Sequence, residues 1–308
     1  MPARLARASC LADLLADATA FLVGHDIPSP RLDAEVLLAY AMGGNRTELY
    51  LRDSPAPRQR DAFWYTLKRR AQREPVAYIT GVQEFWSLEF TVNRHVLIPR
   101  PETERVVELG LELLGSCPAP RILDLGTGSG CIAVALASQL PQARVWACDV
   151  SAEALAVART NAVAHNVAGR MTFMRADMRQ RLEGHPHRAA STFDLIVSNP
   201  PYIAGPEFAT LQAEVRDWEP RLALDGGKDG LDFYRRLLQD CPVQLRPGGW
   251  LVMEIGSTQS EAVMRMARSQ DNLSECRLSY DYAGLSRVVS VRRHSPVERQ
   301  RGGGRGDG

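Results

Sequence analysis

The strongest constraint on the fold is a regular alternation of strand-like and helical segments that begins after Pro118-Ala119-Pro120. Apolar runs with many β-branched residues and little alternation are typical of strands buried on both faces of a parallel sheet. The predicted strands are Arg121 to Leu125, Arg144 to Cys148, Met171 to Met174, Phe193 to Val197 and Trp250 to Ile255, with helices between the first four, followed by a hairpin of Arg277 to Tyr282 and Arg287 to Val291. This order predicts a doubly wound α/β fold whose mixed sheet has seven strands.

The first quarter of the chain has a different periodicity. Leucines recur at helical spacing, as in Leu11, Leu14, Leu15 and Leu22, so residues 1 to about 75 are predicted to be helical. From residue 85 to 100 the pattern alternates, which predicts a hairpin whose strands at 88–92 and 96–98 flank Asn93-Arg94-His95. We therefore expect a small helical domain over residues 1–83, a β-hairpin linker over 84–100, an α/β domain over 101–293 and a disordered, Gly-rich tail over 294–308.

Composition narrows the cellular setting. The net charge is only +1, so the protein as a whole has no long-range electrostatic attraction to nucleic acid. No apolar run approaches the roughly 18 residues of a membrane helix, and Asp13 and Asp17 interrupt the N-terminal apolar segment, which argues against a signal peptide. The six cysteines are scattered, without zinc-ligand spacing. These features predict a cytoplasmic protein with reduced cysteines, no membrane partner and no metal site.

A glycine-rich turn joins the first predicted strand to an apolar helix. It reads Asp124-Leu125-Gly126-Thr127-Gly128-Ser129-Gly130, and its glycines let the backbone approach a ligand at a helix N-terminus. Dinucleotide folds use a related turn, but the spacing here is G-x-G-x-G after an acid. Asp149 ends the next strand, where it can accept from ribose hydroxyls. Asp177 ends the third, where it can accept from an adenine amino group with Met178 packed on the base.

A second motif, Ser198-Asn199-Pro200-Pro201-Tyr202, follows the predicted strand at 193–197. Pro200 favours an extended Asn199, and Pro201 fixes φ and removes a backbone donor. What remains are two acceptors, the Asn199 side-chain oxygen and the Pro200 carbonyl, beside the Tyr202 ring. Acceptors next to a flat ring suit a planar NH2 group, that is, an amide or an aromatic amine. Read alone, the motif is equally consistent with a rigid turn.

The order Asp124, glycine turn, Asp149, Asp177 resembles the class I S-adenosylmethionine-dependent methyltransferases, which have a Rossmann-like fold. The resemblance implies S-adenosylmethionine as cofactor, with the turn at its methionine part, Asp149 at the ribose and Asp177 at the adenine. The predicted cofactor-binding residues are Asp124, Gly126, Thr127, Gly128, Ser129, Gly130, Asp149, Asp177, Met178 and Asn199. The predicted catalytic residues are Asn199, Pro200, Pro201 and Tyr202.

Upstream and downstream segments resemble the HemK/PrmC family of protein-glutamine N5-methyltransferases. They are Arg73 to Gly81, Glu84-Phe85, Val96 to Glu104, Glu219 to Leu224 and Asp229 to Leu231. The resemblance implies methylation of the glutamine in the Gly-Gly-Gln motif of peptide-release factors, with the amide held by Asn199 and the Pro200 carbonyl and lined by Tyr202. It also implies that the helical domain recognises the release factor. Met178 departs from the family, where this position is often aromatic.

Several alternatives stay open. A sister family that methylates a glutamine of a ribosomal protein typically has Pro-Arg-Ser-Pro where this chain has Pro99-Arg100-Pro101-Glu102. DNA adenine-N6 methylation lacks a strongly basic DNA-reading domain, so no direct nucleic-acid substrate is expected. A binding module without chemistry and a nicotinamide-dependent oxidoreductase are further possibilities. The basic helix over residues 58–73 is either a solvated face or a docking surface for the release factor, to which Arg69 and Arg70 would contribute.

Overall fold

The computed structural model describes residues 10–51, 54–178 and 192–295. Its helices are α1 (Leu11–Val23), α2 (Pro30–Ala41), α3 (Arg46–Leu49), α4 (Pro57–Ala71), α5 (Val76–Thr80), α6 (Glu104–Leu114), α7 (Cys131–Gln139), α8 (Ala152–Ala164), α9 (Ala213–Trp218), α10 (Asp232–Asp240) and α11 (Ser260–Arg268). Its strands are β1 (Val82–Phe85), β2 (Leu88–Thr91), β3 (Arg121–Leu125), β4 (Arg144–Asp149), β5 (Met171–Arg175), β6 (Phe193–Ser198), β7 (Leu245–Glu254), β8 (Leu273–Tyr280) and β9 (Ser286–Arg293). The chain divides into a helical unit, Met1–Val82 with Leu211–Trp218, and an α/β unit, Gln83–Thr210 with Glu219–Gly308.

The sheet of the α/β unit has seven strands in the order β5-β4-β3-β6-β7-β9-β8. The pairs from β5 to β7 are parallel, whereas β9 is antiparallel to both β7 and β8. The predicted mixed seven-stranded sheet is therefore confirmed. The chain runs outward from β3 to β5 on one side and then from β6 to β7 on the other. Such a reversal of strand order is where open α/β sheets bind ligands, at the carboxyl ends of the strands.

The strands that lead to this edge are held by an apolar layer on each face of the sheet. Every residue of β6 is buried. Leu195 packs in the layer that contains Leu136 of α7, and Ile196 packs in the opposite layer with Leu237 of α10. Strands buried on both faces have little freedom to shift, so the residues that follow β3 and β6 start from fixed positions.

The two-stranded hairpin differs from the prediction. Strands β1 and β2 pair with each other, and the chain turns at Trp86 and Ser87, which both have φ near +55°. Two consecutive positive φ values are the geometry of a type I′ turn, which matches the twist of a hairpin. The predicted pairing of 88–92 with 96–98 is wrong. Val96 and Ile98 are buried outside any strand, and burial accounts for the alternation that suggested one.

The helical unit is built around an apolar core of α1, α2 and α4, whose Leu15, Leu37 and Leu67 are fully buried. The helices predicted before residue 75 are thus present in the described residues. The helix predicted between the third and fourth strands falls on residues 179–191, and most of the predicted tail on 296–308; both lie outside the described residues. No helix in the described ranges is long and apolar enough to cross a membrane.

Two arginines of the basic helix are engaged inside the helical unit. Arg70 is only 5% exposed; its Nε lies 2.7 Å from Asp33 and its Nη2 2.8 Å from Glu214 of α9. Arg69 is paired with Glu74 at 2.5 Å. Burial alone would raise the pKa of Glu214, but its bonds to Arg70 and Arg73 lower it. Arg70 is therefore buried and committed to the interior of the unit, whereas Arg69 is paired with Glu74 but 30% exposed. The expected docking surface on this helix stays a prediction, with Arg70 unavailable to it. Arg58 and Lys68 of α4 are exposed.

Candidate active site

A cavity lies at the carboxyl ends of the parallel strands, and with the solvent at its open mouth it measures about 1120 Å³. It is lined by residues of the glycine turn, by the ends of β4, β5 and β6, and by the segments around 94–103 and 220–223. Of the predicted site residues, its lining includes Gly126, Thr127, Gly128, Ser129, Asp149, Asp177, Met178, Asn199 and Pro201. The two motifs found separately in the sequence thus border one space.

The glycine turn is fixed by the neighbouring strand. The backbone amides of Gly126 and Thr127 both donate to the Cys148 carbonyl at 2.9 Å. Gly126 has φ +75°, and a Cβ there would lie 2.9 Å from Cε of Met178. The positive φ would strain any other residue at this position, which explains the glycine; the Met178 methyl group, at the far end of a flexible side chain, could move aside. Met178 therefore lies against the turn as well as lining the cavity.

Asp149 closes the turn from the end of β4. Its two carboxylate oxygens accept from the backbone amides of Gly128 and Ser151, both at 2.9 Å. Burial raises the pKa of Asp149, and these amides oppose the rise. A carboxylate fixed by two amides at the cavity wall keeps lone pairs for a further donor.

Asp124 lies behind the turn and is fully buried. Its Oδ2 accepts from the Thr127 hydroxyl at 2.6 Å, whereas Oδ1 has no hydrogen-bond partner among the described residues. The pKa of Asp124 is raised to about 7: burial is the largest cause and the charge of Asp149 adds to it, whereas the Thr127 hydroxyl and the Ala133 backbone amide oppose the rise. A buried carboxylate oxygen without a close donor is costly, because it has lost its hydrogen bonds to water.

Asn199 follows β6 directly and lines the cavity. Its Nδ2 donates to the hydroxyl of Thr103 at 3.2 Å, and that hydroxyl donates to Oε2 of Glu254 at 2.6 Å. Thr103 is 2% exposed and Glu254 1%. The Asn199 amide is therefore held from behind by a buried polar chain.

Four predicted site residues lie outside the cavity lining. Asp124 is behind the turn, Gly130 precedes α7 and Pro200 is buried. Tyr202, expected to line the pocket, instead packs against the apolar layer that contains Ile255. Its carbonyl accepts from the Gln259 side chain at 2.9 Å, and burial raises its pKa, so the phenol stays neutral. Tyr202 anchors the motif in this structure, and its role beside the substrate stays a prediction.

Several residues at the site were not among those predicted from the sequence. Thr103 and Phe233 line the cavity, and the buried Glu219 accepts from the Ile98 amide at 3.1 Å and from the Arg100 guanidinium. Burial raises the pKa of Glu219, against the effect of Arg100. Thr103 and Glu219 lie in segments that carried the family resemblance. Glu254 could have been noticed as an acid within an apolar strand.

Two family profiles match the chain, the PrmC N-terminal domain over residues 13–81 and the methyltransferase small domain over residues 106–227. A release factor glutamine methyltransferase of Moorella thermoacetica is 46% identical over 279 residues, 90% of this chain and 96% of the relative. Its counterpart in Geobacter sulfurreducens is 45% identical over 88% of this chain and 93% of the relative.

Solved structures support the fold. A methyltransferase from Pyrococcus furiosus superposes with a TM-score of 0.50 at 19% identity, covering 74% of this chain and 98% of that one. The hMettl16 catalytic domain, solved with an RNA hairpin, has a TM-score of 0.56 at 18% identity, covering 73% and 81%. At these identities the likeness concerns the Rossmann-like methyltransferase fold alone.

Proposed function

The chain belongs to the family of release factor glutamine methyltransferases, and from this membership we propose its substrate and chemistry. The protein transfers a methyl group from S-adenosylmethionine to the side-chain amide nitrogen of the glutamine in the Gly-Gly-Gln motif of a peptide-release factor. The observation that carries the proposal is the single cavity bordered both by the glycine turn and by Asn199.

The residues of the cavity fit this cofactor. S-adenosylmethionine carries an ammonium and a sulfonium group, supplies an electrophilic methyl group when bound, and has ribose hydroxyls and an adenine amino group. Asp149 and Asp177 line the cavity, whereas Asp124 is buried behind the glycine turn, from where its carboxylate would favour the ammonium group of the cofactor on the other side of the turn. We assign Asp149 to the ribose and Asp177 to the adenine amino group. Three carboxylates in one region favour a cationic ligand.

The difficulty of the reaction is the substrate, because the lone pair of an amide nitrogen is delocalised and weakly nucleophilic. Positive charge develops on this nitrogen as it is methylated. The Asn199 side-chain oxygen and the Pro200 carbonyl accept hydrogen bonds from the two N–H groups of the substrate amide and stabilise that charge. Each preorganised acceptor contributes about 10²–10³ in rate. Holding the nitrogen in line for transfer supplies much of the remainder. No strong general base is needed, since the N-protonated product releases its proton to water.

We assign recognition of the release factor to the helical unit. Because Arg69 is paired with Glu74 and Arg70 is buried, the test uses the exposed Arg58 and Lys68 of α4. Reversing these two to Glu is expected to weaken release-factor binding and to leave cofactor affinity unchanged. The exposed Arg265 of α11 provides a control reversal in the other unit. Equal release-factor affinity of the two variants would refute the assignment.

The proposal is tested by mass spectrometry of an intact bacterial release factor incubated with the protein and S-adenosylmethionine. We expect a mass gain of one CH2 group, located by fragmentation on the Gly-Gly-Gln glutamine. Asn199→Ala should lower the rate by about 10²–10³-fold. The control is Asn272→Ala, because the side-chain oxygen of Asn272 accepts no hydrogen bond in the described ranges.

Parallel incubations with ribosomal proteins and with adenine-containing duplex DNA identify the alternatives. An unmodified release factor together with a methylated ribosomal glutamine or adenine would overturn the substrate assignment while retaining methyl transfer.

A further inference from the structure

The polar chain behind Asn199 joins three segments that are far apart in sequence. Thr103 lies in a short turn before α6, Asn199 follows β6, and Glu254 ends β7. The hydrogen bonds span 96 and 151 residues of sequence, respectively. Only Thr103 and Asn199 border the cavity, so Glu254 acts on the site through Thr103.

The number of available protons determines which group donates and which accepts in each of these two hydrogen bonds. A threonine hydroxyl has one proton to donate and two lone pairs that accept. At 2.6 Å from an ionised Glu254, the Thr103 proton is committed to the carboxylate. Thr103 can then only accept from Asn199, so the nitrogen of the Asn199 amide must face Thr103. The amide oxygen is consequently turned away from Thr103.

We propose that Thr103 and Glu254 are positioning residues that hold the Asn199 side chain with its oxygen available to the substrate NH2 group. This inference rests on the proposed function, because it concerns how the glutamine amide is accepted. The two ends of an Asn amide have nearly the same size, so packing alone does not choose between them. The reversed orientation would present an NH2 group to the substrate NH2 group, and two donors repel.

Thr103 donates to Glu254 and accepts from Asn199 only while Glu254 is ionised. The pKa of Glu254 is raised to about 7: burial is the largest cause and the charge of Glu102 adds to it, whereas the Thr103 hydroxyl, Arg287 and Arg100 oppose the rise. Tyr234 also faces this residue, through a hydrogen bond from its hydroxyl to the Glu254 carbonyl. A protonated Glu254 would donate to Thr103, and Thr103 would then donate to Asn199. The rate at saturating substrates is therefore expected to rise with pH through about 7.

The decisive variant is Thr103→Val, which keeps the shape of the side chain and removes the hydroxyl. We expect kcat for release-factor methylation to fall by about 10- to 100-fold, the range expected for a lost hydrogen bond in a charged chain. Affinity for S-adenosylmethionine, measured by calorimetry, should stay within about twofold because the hydrogen bond orients only the amide. Thr103→Ser restores the hydroxyl and should recover most of kcat.

The matched control is Thr66→Val in the helical unit. Thr66 is 4% exposed, and its hydroxyl donates to a carbonyl of its own helix, that of Phe63, at 2.7 Å. This substitution removes a buried threonine hydroxyl away from the cavity. It should lower thermal stability without changing kcat.

Two readouts separate positioning from a structural role. In protein labelled with ¹⁵N-asparagine, exchange of the Asn199 side-chain NH2 protons with water should accelerate in Thr103→Val and remain unchanged in Thr66→Val. In Glu254→Gln, which cannot ionise, the rise of kcat through pH 7 should disappear. Asp124 also has a pKa of about 7, but we place it at the cofactor, so saturating cofactor separates the two effects.

The outcomes distinguish this inference from the proposed function. If wild-type protein methylates the release factor and Thr103→Val has the same kcat and the same NH2 exchange, the positioning role is refuted and the proposed function stands. The role is equally refuted if Thr103→Ser is as impaired as Thr103→Val, or if Glu254→Gln keeps the wild-type pH profile. If wild-type protein leaves the release factor unmodified, the proposed function itself fails.

Discussion

Replacing Asp124 by asparagine is expected to stabilise the ligand-free protein while weakening its affinity for the cofactor. The substitution keeps the shape of the side chain and removes its charge. The pKa of Asp124 is raised from 3.8 to about 7, with burial as the largest cause. In the folded state the group therefore retains a proton that it loses in the unfolded state. A folded state that binds the proton more tightly loses stability as pH rises through the interval between the two pKa values.

The magnitude follows from this pKa shift. Three pKa units correspond to about 4 kcal/mol of destabilisation above pH 7, and to almost none below pH 4. Asparagine avoids this cost but places an NH2 group where Oδ1 has no partner among the described residues, at about 1–3 kcal/mol. A net gain of about 1–3 kcal/mol remains at pH 8, which corresponds to a thermal midpoint higher by about 3–10 °C for a unit of this size.

Differential scanning calorimetry without cofactor between pH 4.5 and pH 8 measures this gain, and titration calorimetry measures the cofactor affinity. The stability of Asp124→Asn relative to wild type should increase with pH, and its affinity for S-adenosylmethionine should be lower by about tenfold or more because an ammonium partner is lost. The control is Asp194→Asn. Asp194 is also buried, but it accepts from the Arg121 amide and is paired with Arg246, both at 2.7 Å, so this variant should be less stable than wild type. A midpoint for Asp124→Asn at or below wild type at pH 8, or a difference independent of pH, would refute the reasoning.

Three further perturbations test other parts of the structure. Gly226→Ala would place a Cβ 2.7 Å from Cα of Tyr202, so methylation should fall by at least about 10²-fold as the motif shifts; Gly205→Ala, whose Cβ would be 4.0 Å from the nearest atom, should stay near wild type in the same assay. Gln259→Leu removes the side chain that donates to the carbonyls of Tyr202 and Gly230, and kcat should fall by about tenfold with cofactor affinity retained; wild-type kcat would show that these bonds do not hold the motif. Arg70→Ala leaves the buried Asp33 without this partner and the half-buried Glu214 with Arg73 alone, which should destabilise the helical unit by about 3–5 kcal/mol in urea unfolding, whereas removing the exposed Lys68 should change stability by less than about 0.5 kcal/mol.

The sequence predicted the centre of the sheet well because β3 and β6 are buried on both faces, and burial produces a continuous apolar run. The ends of the parallel strands then located the glycine turn, Asp149 and Asn199 at one edge. The hairpin was mispaired because Val96 and Ile98 alternate in the same way as a strand although they are buried outside the sheet. A turn at Trp86 and Ser87 carries no glycine or asparagine signal, so the sequence gives no reason to expect positive φ there.

The charges of the helical unit illustrate a different limit. The run of basic residues in α4 resembles a solvated or docking face because sequence alone does not reveal the partner of each charge. Glu214, which pairs with Arg70 and Arg73, follows them by more than 140 residues. The grouping of Leu211–Trp218 with the helical unit is a tertiary fact with no local signal.

The two acids with a pKa near 7 show why an altered pKa does not by itself assign a role. Asp124 and Glu254 are both buried at a strand end, and burial is the largest cause of the raised pKa in both. The two acids differ in their hydrogen-bond partners. Glu254 accepts a hydrogen bond from the Thr103 hydroxyl, which in turn accepts one from Asn199, whereas an oxygen of Asp124 lacks a donor among the described residues. Neutralising Asp124 should therefore be felt in stability and cofactor binding, and neutralising Glu254 in the pH dependence of kcat. If Asp124→Asn and Glu254→Gln instead changed stability, cofactor affinity and the pH dependence of kcat in the same way, burial and not the hydrogen-bond partners would determine the role of each acid.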